Sequence, residues 1–354
     1  MRIAIIGGGF YGCYLAFKLK TKFKSKYKID IFEKNSDLLK EAAINNQWRL
    51  HLGFHYPRSN QTIRQCVEGY KLFARDFKKY IFYPNWNLYL IHKKSKTSFK
   101  RFLKIYDKFN LKIEEFDLNK LIFLRNKSDY LGAIKTKEGV IKFDKLNKFL
   151  KKKILNFFNL FLNTQIIKVD NLKGILKDLK GNIFDNYDYI LNCTYTDPNL
   201  GNKKKFRIKY ELVGMVEAKN PFKKKIAITI VDGPYISLYP RTSKTVSLSS
   251  VKHTPIKKVL HYKNIHKLEN VILKNKQTYI NKIVKDVKKY FIPNLNIKIV
   301  KLILSTKVKP LKDNQDQRPT LLTRNNKVFN ILCGKIDAAP LIFNKIIKNI
   351  YKKN

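Results

Sequence analysis

Three glycines, Gly7, Gly9 and Gly12, lie between the β-branched run RIAII at 2–6 and the stretch CYLAFKLKTKF, whose Tyr14, Leu15, Phe17 and Leu19 leave its lysines on one side. This is G-x-G-x-x-G in the setting where it is informative, after a buried strand and at the start of a helix. The first glycine permits a tight turn, the second lets the backbone approach a diphosphate, and the third packs helix closely on strand. Phe10 and Tyr11 open the helix, whose N-terminal N–H groups face the phosphates. The next apolar run, KIDIF, leads to Glu33, 21 positions after Gly12, where a carboxylate accepts hydrogen bonds from ribose hydroxyls; Lys34 follows it. Motif, flanking elements and acid together predict a dinucleotide-binding βαβ unit over residues 1–34. The alternative, a glycine turn with a packing role only, leaves Glu33 unexplained.

A chain of 354 residues accommodates about two domains of roughly 100–200 residues each. The spacing of Ile63, Cys66, Val67, Tyr70, Phe73 and Phe77 predicts a helix within 62–81, and amphipathic patterns predict others near 97–108, 143–158 and 276–290. Residues 44–60 show neither helical nor strand period. Short strands are expected over 86–140, a small β-meander over 162–192, and alternating strands over 206–252. The chain closes with FNILCGKIDAAPLIFNKIIKNIY, a buried strand, a glycine turn and a helix. With no repeat and no low-complexity linker, a second domain must be interleaved by insertion. The expected division assigns 1–80, 141–205 and 303–354 to a Rossmann-like cofactor domain of α/β class. It assigns 81–140 and 206–302 to an α+β substrate domain on a mixed or antiparallel sheet.

The net charge of +48, from 74 basic against 26 acidic residues, points on its face to nucleic acid or an anionic membrane. Yet only 11 of the basic residues are arginine, and the lysines are spread along the chain among Asn, Ile, Phe and Tyr, all residues with A/T-rich codons. That is the pattern of compositional drift. The aromatic residues follow core periodicity instead of interleaving with arginine on a stacking platform, so specific nucleic-acid binding is not expected. The helix near 143–158 has a basic face suited to solvent or to peripheral membrane contact. No apolar run reaches 18 residues, and the expectation is a cytoplasmic protein, with docking on the inner face of the membrane left open. Cys13, Cys66, Cys193 and Cys333 lack CxxC or metal-ligand spacing, which suits a reducing compartment and no metal.

Against a lysine background arginine is informative, because its planar fork grips carboxylate or phosphate bidentately. Arg49, Arg58, Arg64, Arg241 and Arg318 therefore stand out. The densest segment, RLHLGFHYPRS at 49–59, adds His51 and His55, whose imidazoles titrate near neutral pH.

MRIAIIGGGFYGCYLA followed by IDIFEK and then RLHLGFHYP resembles the N-terminal region of FAD-dependent oxidoreductases of the D-amino-acid oxidase superfamily. Within it, the L-2-hydroxyglutarate oxidases and FAD-linked glycerol-3-phosphate dehydrogenases come closest. The resemblance implies FAD as cofactor and a His-x-Gly segment along the flavin, matched by His51, Leu52 and Gly53 with Arg49 before them. NYDYILNCTYTDPN is similar to the family strand ending in Ala-Thr-Gly, with Cys193, Thr194 and Tyr195 in those places. LYPRTSKTVSLSS, which holds Arg241, resembles the substrate-domain hairpin. VKPLKDNQDQRP and ILCGKIDAAP resemble the C-terminal region in which Gly-Lys precedes a helix aimed at the flavin. Lys309-Pro310 stands where relatives often carry Arg-Pro, with Arg318-Pro319 nearby. By this resemblance Gly334, Lys335, Ile336 and Asp337 border the flavin, where a helix N-terminus stabilises negative charge, and Thr194 and Ile167 join the cofactor site.

The expected activity is oxidation of a small anionic hydroxy or amino compound by hydride transfer to flavin, while a base removes the heteroatom proton. His51 and His55 are candidates for ring contact and base. Arg241 and Arg318 are candidates for gripping a carboxylate or phosphate, with Arg58 capping the same pocket. Oxygen or a membrane quinone would take the electrons. A flavin-dependent sugar or sugar-nucleotide enzyme without net redox change remains an alternative, because galactopyranose mutases resemble the first glycine loop.

Overall fold

A computed structural model describes residues 1–202, 205–312 and 318–351. The expected βαβ unit forms: strands Arg2–Ile6 and Lys28–Phe32 lie parallel, from Arg2 opposite Lys28 to Ile6 opposite Phe32, with helix Phe10–Phe23 between them. They occupy the centre of a six-stranded sheet in the order 321–325, 328–332, 189–192, 2–6, 28–32, 159–161, parallel except for the first pair. Near-continuous aliphatic runs such as RIAII suit this position, buried on both faces. Helices Phe10–Phe23, Asn60–Phe77, Phe143–Phe157 and Ala339–Tyr351 carry the aromatic core of this half, where Phe10 packs on Phe73, Phe77 and Phe143 with ring centres 5.9–6.4 Å apart.

The second layer is a nine-stranded mixed sheet, antiparallel except where Ile226–Val231 runs beside Trp86–His92. Its longest ladder pairs Ile208–Lys219 with Ile299–Pro310. The expected boundary at 303 cuts this strand. Its residues stay in the substrate sheet through Pro310, and the chain re-enters the parallel sheet only at Leu321. Helix Lys276–Lys288 forms as expected, whereas Lys263–Lys274, which periodicity did not single out, buries only Ile265 and Ile272 fully. A short sheet of Arg49–Leu50, Gly139–Ile141 and Ile81–Phe82 stitches the two halves together, and the chain passes between them four times, at 82–86, 135–139, 192–208 and 310–321. No helix among the described residues is long and apolar enough to cross a membrane.

Candidate active site

A continuous cavity of about 860 Å³ runs between the two halves. At one end lie Gly7, Gly9, Phe10 and Tyr11; Glu33, Lys34 and Ile166 flank them, and Thr194 faces them from the neighbouring strand. Gly7 has φ +104°, and a Cβ there would sit 2.7 Å from the carbonyl oxygen of Cys193, so only glycine makes this turn. A Cβ on Gly9 would meet nothing within 4 Å: the space in front of it belongs to the cavity. Gly12 packs against the carbonyl of Gly7 and does not reach the cavity, in keeping with its helix-packing role. Glu33 braces the loop as well, accepting from the N–H of Gly8 at 2.7 Å and from Asn35.

The segment 49–59 is held from several sides. The N–H of His51 donates to Asp337 at 3.1 Å, that of Leu52 to Glu138 at 2.7 Å, and the Ser59 hydroxyl caps helix Asn60–Phe77 by accepting from Thr62. This presents Arg49, His51, His55, Tyr56 and Arg58 to the cavity, whereas Leu52 and Gly53 turn away from it. Gly53, at φ +98°, is needed for the turn against Ile63 rather than to pass a cofactor. Opposite, Gly334, Lys335, Ile336 and Asp337 line the wall; the Tyr11 hydroxyl donates to the Lys335 carbonyl, and the Gly334 N–H donates to the Thr320 hydroxyl. Tyr195 takes φ +62°, the left-handed conformation that a glycine would adopt at less cost, and its hydroxyl accepts from the N–H of Val308.

Three further residues singled out in the sequence lie elsewhere. Arg241 is buried outside the cavity, paired with Glu217 at 2.8 Å, bonded to the carbonyls of Ile44 and Asn46, and stacked 3.9 Å from the centre of Trp48. Its fork is spent on holding the 44–48 loop. Ile167 points outward, half exposed, while Ile166 lines the cavity; a one-residue offset on a strand exchanges faces. Arg64 is exposed on its helix.

Two features mark the cavity as a reacting site. Among the described residues, eight buried side-chain atoms lack a hydrogen-bond partner, and six of them belong to cavity residues: Trp48 Nε1, Arg49 Nε, His51 Nδ1, His55 Nδ1, Lys335 Nζ and Asp337 Oδ1. Such a concentration of unmet capacity implies a ligand. The second feature is a cationic end formed by Lys307, Lys309 and Arg318 around the buried Glu211, which pairs with Lys309 at 2.8 Å. Burial works to raise the Glu211 carboxyl, but Lys309 outweighs it and holds it below its usual range. Burial pushes Lys307 well down, and Arg318 and Lys309 reinforce the effect. Burial likewise takes His51 and His55 well below the ordinary imidazole value, with Lys335 and Arg49 adding to the shift at both. Lys307 was invisible in the sequence because it is one lysine among many, and Glu138 because a single buried acid carries no spacing signal.

The description "FAD dependent oxidoreductase", the DAO family, matches residues 2–310. The chain belongs to this family. A relative along the full length is the FAD-dependent monooxygenase FPY4 of Fusarium mangiferae, 25% identical over 98% of this chain and 90% of its own. The L-2-hydroxyglutarate dehydrogenase of Indibacter alkaliphilus is 30% identical over 21% of this chain and 18% of its own. Among solved structures, the FAD-bound L-alpha-glycerophosphate oxidase of Mycoplasma pneumoniae superposes with a TM-score of 0.73 at 13% identity, covering 98% of this chain and 94% of that one. The protein is thus an FAD-dependent oxidoreductase, and the cavity fits that cofactor. The open space before Gly9 and the N-terminus of helix Phe10–Phe23 suit the diphosphate, and Glu33 retains acceptor capacity for the ribose. Lys335 and Asp337 leave their unpartnered atoms for the ring end.

Proposed function

We propose that this enzyme oxidises a small anionic hydroxy or amino compound. The cationic end of the cavity carries the reading, with Lys307, Lys309 and Arg318 gathered around one acid, Arg318 close enough to depress both His51 and His55 and Lys307 close enough to depress His55. Bound FAD supplies the two-electron acceptor. The chain's own residues do the rest. Lys307 and Arg318 hold the substrate's carboxylate or phosphate, the anion restoring to Lys307 the charge that burial and its cationic neighbours disfavour, and together they replace Arg241 in the role expected of it. His51, neutral at physiological pH because of its lowered pKa, takes the proton of the hydroxyl or amine. His55 lines the same wall, and the 44–48 loop held by Arg241 keeps bulk water out.

The test is anaerobic bleaching of the FAD-loaded protein by hydroxy acids, amino acids and sugar phosphates, against uncharged alcohols and amines. Bleaching confined to anions is expected, with Lys307→Met raising the concentration needed at least about tenfold, the worth of one charged hydrogen bond. Equal bleaching by uncharged compounds would sink the reading. The name of the full-length relative favours a second reading, oxygen insertion into the substrate. Incorporation of ¹⁸O from labelled dioxygen, dependent on a nicotinamide reductant, would establish it over the first.

A further inference from the structure

Behind His51, outside the cavity, lies Glu138, the residue before strand Gly139–Ile141. Its side chain is fully buried. Oε1 accepts from the N–H of Leu52 at 2.7 Å, and Oε2 accepts from the Tyr89 hydroxyl at 2.6 Å. That hydroxyl in turn accepts from Nη1 of Arg49 at 3.2 Å. Oε1 also stands 3.9 Å from Nδ1 of His51, a ring nitrogen that is buried and has no hydrogen-bond partner. Since Nδ1 is closed off, Nε2 is the nitrogen left to the cavity.

The groups that face this ring are otherwise cationic or neutral. Lys335, Arg49, Arg318 and His55 bear on it, while Asp337 is engaged with the main-chain N–H of His51. A base in such surroundings needs two things. Its free electron pair must point at the substrate, and the positive charge it acquires must be compensated.

We propose that Glu138 is the positioning residue for His51. It keeps the neutral ring protonated on Nδ1, leaves Nε2 bare for the substrate proton, and compensates the imidazolium once Nε2 takes that proton. A ring movement of about 1 Å brings Nδ1–H within charge-assisted hydrogen-bond distance of Oε1. The same carboxylate fixes the loop through the Leu52 amide, so orientation and compensation come from one group. The inference deepens the role given to His51 above and rests on that reading.

The test needs no substrate. The chain has six histidines, so ¹⁵N-histidine labelling of the FAD-loaded protein gives a readable ring-nitrogen spectrum, with His51→Asn assigning the signal. In the wild type, His51 is expected as the Nδ1–H tautomer. Glu138→Gln keeps an oxygen for one of the two donors but can place its amide N–H toward Nδ1. The expected result is a switch to the Nε2–H tautomer and, with any substrate found, a reduction rate at least tenfold lower. Tyr89→Phe, which leaves the carboxylate in place, should keep the Nδ1–H form. A wild-type His51 protonated on Nε2 would overturn the proposal whether or not the variant folds. So would identical ring spectra in wild type and Glu138→Gln, leaving Glu138 as a brace for the loop. A failed search for anionic substrates would refute the proposed function while leaving the tautomer result intact.

Discussion

Asp337 shows how one side chain can tie cofactor site and stability together. Burial raises its carboxyl from an ordinary 3.8 to about 6, against the pull of Lys335 and the His51 amide. The folded chain therefore holds this proton more tightly than the unfolded chain does. The resulting stabilisation is complete below the unfolded value and is lost as pH rises through 6, a loss of about 3 kcal/mol for a shift of about two units. Asp337→Asn should flatten the pH dependence of melting in the FAD-free protein between about pH 4 and 7. Thermal scans across that range check it; parallel curves for variant and wild type would refute it. Asp337 was legible, because it follows Gly334 and Lys335 in a recognisable turn. Lys307 was not: among so many lysines the residue type carries no information, and only the fold shows which one points into the cavity. Arg241 misled for the opposite reason. Its rarity marked it as important, but Glu217, Trp48 and two carbonyls consume its fork, and those partners lie far from it in sequence.

The glycine turn separates the demands of folding from those of binding. A Cβ on Gly12 would lie 1.9 Å from the Gly7 carbonyl, so Gly12→Ala should prevent the strand–helix contact and yield little folded protein. Gly9 has open space before it, so Gly9→Ala should leave the melting temperature of the FAD-free protein nearly unchanged while weakening FAD binding at least about tenfold, by filling space the diphosphate needs. Equilibrium titration with FAD, paired with melting curves, distinguishes the two. Most elements were readable from period alone, since aliphatic runs and helical stripes describe local burial. Helix Lys263–Lys274 carries such a stripe too, in Ile265, Leu268 and Ile272, but went unread among the exposed lysines around it. The strand Ile299–Pro310 was divided wrongly because its Lys-Pro end resembles a C-terminal motif, whereas its membership is decided by Ile208–Lys219, some 90 residues earlier.

Charge acts on the molecule in two regimes. A surplus of +48 spread over the surface repels itself, so melting temperature should rise by several degrees between about 20 and 300 mM NaCl as screening shortens to a few ångströms. The Arg241–Glu217 pair, buried between loop and sheet, lies beyond that screening. Removing Arg241 alone should cost about 3–5 kcal/mol and depend little on salt, as expected when one buried partner is stranded. Melting curves of wild type and Arg241→Ala over the same salt series test both statements. The four passages of the chain between its sheets have a different consequence, for how the protein can be divided. Any single cut between His92 and Ile299 leaves each half of the gene encoding strands of both sheets and completing neither. Such halves cannot be two independent modules. They are complementary fragments, each unfinished until the other arrives, which makes flavin fluorescence quenching a natural reporter of their reassembly.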